Sequence, residues 1–151
     1  MALGPTRKPD RQRVVVVFDD GTRLKGLVDG FRPERARFVL REVDLGGQVV
    51  RTHDVDVHQV LAAFFVHDLA LWQDSPVQAP PRRDRREPAV PPGRPVRVTF
   101  VWGETLEGRV VDRDARRRWL VIEPVGESER SANIDRIFVT RRAIAAMRAL
   151  S

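Results

Sequence analysis

Residues 14–28 read VVVVFDDGTRLKGLV, and residues 96–110 read VRVTFVWGETLEGRV. Set against each other at an offset of 82, the two stretches are identical at both glycines, at the leucine between them and at flanking Val and Phe. Each is an apolar, β-branched run, then a turn with glycine at a position suited to positive φ, then a second strand with a glycine inside it. A glycine within a strand marks a sharp bend or a close backbone approach, which a small barrel needs in order to close. The chain is therefore read as two copies of one short β unit.

The match continues outward. Phe38-Val39-Leu40 aligns with Leu120-Val121-Ile122 without a gap. Beyond it the second copy is read as about five residues shorter, so that Val57–Leu61 faces Ile134–Phe138. Strands are expected at Val14–Phe18, Arg23–Phe31, Arg37–Val43, Gln48–Val57 and Val60–Val66. Five strands in so short a unit, with no helix between them, imply an antiparallel barrel. Thr140 reads as the N-cap of a short C-terminal helix over Arg141–Leu150, with Ile144, Met147 and Leu150 on its packed face. Asp74–Pro95 holds seven of the eleven prolines and the basic run Arg82-Arg83-Asp84-Arg85-Arg86, the composition of an extended linker. The expected organisation is a basic tail over 1–13, a first barrel over 14–73, a linker over 74–95, and a second barrel with its helix over 96–151.

The stretch from Phe18 to Phe31, with Phe38-Val39-Leu40 after it, resembles the first motif of the Sm-like proteins, bacterial Hfq above all. Gln48 to Val55 resembles their second motif, with His53 at the histidine and Arg51 and Thr52 at the tyrosine and lysine. The resemblance covers most of the first copy and only the first motif of the second. It implies two five-stranded Sm-like or SH3-like barrels in tandem, and it implies RNA as a partner.

Composition narrows the function classes. The net charge of +6 and the pI near 11.2 suit an acidic partner. The charge is uneven, being +3 over 1–13, −2 over 14–73, +2 over 74–95 and +3 over 96–151. All basic residues but Lys8 and Lys25 are arginine, a bias that also accompanies a GC-rich genome. No apolar run approaches the ~18 residues of a membrane span, and the start lacks the apolar core of a secretory signal. A bacterial-type cytoplasmic protein that contacts no membrane is expected.

No catalytic motif or phosphate loop is present, and cysteine and tyrosine are absent, so no enzymatic activity is expected. On a strand, alternation puts Asp54, Asp56 and His58 on one face. Successive positions on such a face lie about 7 Å apart, too far to share one ion, so neither metal nor cofactor is expected. Arg116-Arg117-Arg118-Trp119 sets three cations beside an aromatic ring, a pattern suited to phosphate backbone and a stacked base. Arg51, His53, Arg116, Arg117, Arg118 and Trp119 are the candidate nucleic-acid residues, with Trp119 turned outward. Trp102, in the turn of the second copy, is expected to be exposed, and Trp72 to cover a barrel mouth. The alternative is a protein-interaction module that assembles, with itself or another protein, through edge strands. A third reading is a cyclic-dinucleotide receptor, since Arg82 and Arg86 have the Arg-x3-Arg spacing of PilZ domains.

Overall fold

A computed structural model describes residues 11–32, 34–72, 93–113 and 119–150. The first half forms strands β1 (Arg11–Phe18), β2 (Arg23–Asp29), β3 (Arg37–Val43), β4 (Val49–Asp56) and β5 (Val60–Val66). The second forms β6 (Pro95–Phe100), β7 (Thr105–Arg113), β8 (Trp119–Pro124), a short helix α1 (Glu129–Asn133), β9 (Ile134–Thr140) and β10 (Ile144–Ala149). All pairings are antiparallel, and the strands make one open sheet in the order β10-β6-β7-β8-β9-β5-β1-β2-β3-β4. The fold is thus all-β, as the strand patterns imply. The two separate closed barrels expected from the repeat are not what this sheet presents.

Read along the sheet, the order is one pattern used twice. In each half the fifth strand pairs with the first, and the first four follow in sequence. The central glycines hold equivalent places, Gly26 opposite Val14 and Gly108 opposite Val96. The turn glycines Gly21 and Gly103 both adopt positive φ, +89° and +95°, where a side chain would be strained.

Past the third strand the expected alignment fails. Arg37 faces Asp56 in the first half, and Trp119 faces Thr140 in the second. These equivalent pairs raise the offset from 82 to 84, so the second copy is two residues longer there, and α1 occupies the extra length. Val57–Leu61 therefore does not match Ile134–Phe138, and the equivalent of Val60–Val66 is the segment Ile144–Ala149. That segment is strand β10, not the C-terminal helix expected from its alanines. Two causes can be named. The Thr140 hydroxyl makes no cap and instead donates to the Leu61 carbonyl at 2.9 Å. Strand β6 needs an edge partner, and Ala145 and Met147 alternate inward against it.

The apolar residues gather in two clusters. One takes Val96, Val98, Phe100, Leu106, Ile122, Ile137 and Met147 from the second half, but also Val15, Val17, Ala62 and Phe64 from the first. The other takes Val14, Val16, Phe38, Leu40 and Phe65 from the first half, but also Trp119 and Phe138 from the second. Strands β1 and β5 lie between the clusters and are buried on both faces. Hence they read as unbroken apolar runs, while β6 alternates cleanly.

Neither strand glycine tolerates a side chain. A Cβ at Gly26 would collide with the Arg41 carbonyl on β3. At Gly108 it would stand 2.6 Å from Ile122 Cγ2 and 2.8 Å from the Glu123 carbonyl on β8. Gly26→Ala is expected to lower stability in urea denaturation by about 1–3 kcal/mol, because backbone must move. Gly46→Ala, at an exposed glycine where the nearest side-chain atom is 3.4 Å away, is expected to change it by less than about 0.5 kcal/mol.

Candidate functional site

The halves meet along β5 and β9. Ala62 faces Val139, Ala63 faces Phe138, Phe64 faces Ile137 and Phe65 faces Arg136. Neighbouring residues of a strand point to opposite faces, so Phe64 and Phe65 enter different clusters. Phe64 lies 4.9 Å from Trp72, 5.7 Å from Phe100 and 6.2 Å from Trp102, between ring centroids. Phe65 lies 5.4 Å from Phe138 and 5.4 Å from Phe31, and Phe31 also meets Trp119 at 6.0 Å.

Polar groups lock the same seam. Asn133 is buried, and its side-chain amide donates to the Asp68 carbonyl and accepts from the Asp68 amide, both at 2.9 Å. The His67 amide donates to the Asn133 carbonyl at 2.8 Å. The Arg142 guanidinium donates to the His58 carbonyl at 2.6 Å, joining the 3-10 turns that precede β10 and β5. Arg130 sits over the Trp72 ring at 4.6 Å and pairs with Glu104, whose other oxygen accepts from the Trp102 indole at 3.2 Å.

The ends of the sheet differ in character. Among the described residues, β4 and β10 each have one hydrogen-bonded neighbour. On β4, Val49 and Val50 are 50% and 57% exposed. Arg37 ion-pairs with Asp54 at 3.2 Å, which holds its guanidinium above the ordinary pKa through that hydrogen bond. The counterparts of Arg37 and Asp54 in the second half are Trp119 and Phe138, both buried. Two equivalent positions are thus polar at the sheet end and apolar at the seam.

The sequence-selected residues do not gather. Arg51 and His53 lie on β4, where His53 Nε2 contacts Glu42 Oε1 at 2.7 Å. Trp119 begins β8 at the seam and is 4% exposed, so its expected outward ring is corrected to a buried one. Phe138 and Phe31, absent from the candidate residues, are what enclose it. Arg116, Arg117 and Arg118 lie outside the described residues, as do Arg82 and Arg86. Trp102 is not exposed but buried, stacked on Phe100 at 4.6 Å with the ring planes 3° apart. Trp72 is buried against Phe64 under Arg130. His58 does not continue the β4 face: the strand ends at Asp56, whose carboxylate accepts from the His58 amide at 2.9 Å and caps the turn. No helix among the described residues is long and apolar enough to cross a membrane. The seam residues escape sequence reading because Asn133 and Thr140 become cross-half ligands only once β9 lies beside β5.

Asn133→Ala leaves both backbone groups of Asp68 without their partner. Urea denaturation is expected to show a loss of about 2–3 kcal/mol, more than an exposed Asn→Ala change would cost.

A family model described as "Family of unknown function (DUF6982)" matches residues 10–151, which take in both halves and the segment between them. No curated protein and no solved structure matches the chain. The chain therefore belongs to this family, DUF6982, whose function is unknown and whose match spans both copies.

Proposed function

We propose that this protein is a non-enzymatic cytoplasmic interaction module, a tandem of two Sm-like or SH3-like units that assembles head to tail through its edge strands. One observation carries the reading. The seam joins the fifth strand of the first unit to the fourth strand of the second. What remain at the sheet ends are the fourth strand of the first unit and the fifth strand of the second. They are the same two kinds of strand, in the same antiparallel sense. A second chain can therefore add its β10 to β4 in the register that β5 and β9 already use. Such a contact is heterologous, so its repetition closes a ring or extends a filament.

The chemistry of the ends sets the strength. The internal seam packs Phe138 and Trp119, while the corresponding surface at β4 carries Asp54 and Arg37. Charged edges are weak, selective pairing surfaces. Exposed Val49 and Val50 supply apolar contact at the start of β4. Assembly by this route is concentration-dependent rather than permanent. Sedimentation velocity over about 1–200 µM is expected to show rising mass for the wild type. Val50→Lys together with Ala146→Lys is expected to hold the chain monomeric across that range. A wild-type chain that stays monomeric throughout would overturn the proposal.

The net charge of +6 favours a second reading, RNA binding through Arg51, His53 and the Arg116–Arg118 run beside Trp119. Fluorescence anisotropy with single-stranded RNA at about 50 and 200 mM salt tests it. Steep weakening with salt and in Arg116→Ala/Arg117→Ala/Arg118→Ala is the result that reading expects. No binding at the lower salt would remove it.

A further inference from the structure

A cavity of about 470 Å³ opens at the seam, lined by Val57, His58, Trp119, Thr140, Arg141 and Arg142. Three elements from both halves build it: the turn before β5, the start of β8, and the end of β9 with the turn that follows. Its volume is in the range of sites that hold small organic ligands.

The lining is biased toward donors. Two guanidiniums stand in it, and none of the described lining residues carries a carboxylate. Asp56, next to Val57, is turned to the turn backbone as its cap. The Thr140 hydroxyl hydrogen is spent on Leu61. The Trp119 indole Nε1 is buried and without a hydrogen-bond partner among the described residues. The ring packs against Phe31 and Phe138 in edge-on geometry, at 6.0 and 6.5 Å, so it is fixed in place. Val57 and the indole supply an apolar wall. The tie from Arg142 to the His58 carbonyl holds the two turns together around the opening.

We infer that this cavity is a binding site for a small organic oxyanion, a phosphate or carboxylate carried on an apolar body. The oxyanion accepts from Arg141 and Arg142, while the body lies against Val57 and the Trp119 ring. Arginine suits both anions because its planar fork matches two oxygens at once. The site belongs to the seam alone. At the sheet end the counterpart of Trp119 is Arg37, already paired with Asp54. It stands independently of head-to-tail assembly, since every part of it lies within one chain.

The test uses full-length protein labelled with 15N at tryptophan, whose three indole signals are assigned with Trp119→Phe. Phenyl phosphate is expected to move the Trp119 indole signal saturably, and benzyl alcohol to leave it unmoved. Benzoate serves as the carboxylate probe, and the tighter of the two anions identifies the oxyanion. Arg141→Ala/Arg142→Ala is expected to weaken binding at least about tenfold. Arg141→Gln, which leaves the Arg142 tie intact, is expected to weaken it in the same direction and replaces the double variant if that does not fold. The inference is overturned if neither anion moves the Trp119 signal, if benzyl alcohol moves it equally, or if the arginine variants bind as the wild type does. Inorganic phosphate binding as tightly as phenyl phosphate would reduce the site to an adventitious ion only.

Discussion

Strand β5 is the constraint on which the rest depends. Its two edges are hydrogen-bonded to β1 and β9, and all seven of its residues are buried. Phe64 and Phe65 anchor one apolar cluster each, on opposite faces of the sheet. A strand in this position cannot alternate polar with apolar residues, because it has no solvent face. Removing it would separate the halves and open both clusters together. The described strands form one sheet with two apolar clusters that each draw on both halves, and the family match likewise spans both copies.

The two copies then diverge for a physical reason. The fourth strand is VVRTHDVD at a sheet end and IDRIFVT at the seam. The fifth is VLAAFFV at the seam and IAAMRA at a sheet end. Within each kind, the strand with neighbours on both edges is the more apolar and the one at a sheet end the more charged. Charge on an unpaired edge guards against indiscriminate pairing. It leaves room for a specific partner whose charges match, and a second copy of the chain carries strands of the matching kinds.

Much of this fold was legible in the residues. The strands of the first copy were marked by β-branched runs and turn glycines, and the Gly26–Gly108 match exposed the repeat. The second copy became illegible after Ile122. Its β8–β9 connection differs from that of the first copy, and alanine-rich β10 has the local preferences of a helix. Only pairing with β6 makes it a strand. The same limit governs the candidate site. His58, Trp119 and the adjacent pair Arg141-Arg142 are far apart along the chain, and no spacing joins them. They meet because β9 pairs with β5, which brings the two 3-10 turns side by side.

The central claim, that the sheet ends repeat the register of the seam, can be tested by covalent capture. At the seam Phe65 faces Arg136, and the counterparts at the sheet ends are Ala149 and Thr52. The chain has no cysteine, so a pair can be placed without interference. Thr52→Cys/Ala149→Cys is expected to form interchain disulfides under mild oxidation, giving a ladder of covalent multimers on a non-reducing gel. His53→Cys/Ala149→Cys, one residue out of register and pointing to the other face, is expected to give far less. Monomer alone in the first variant, or equal ladders in both, would contradict the account.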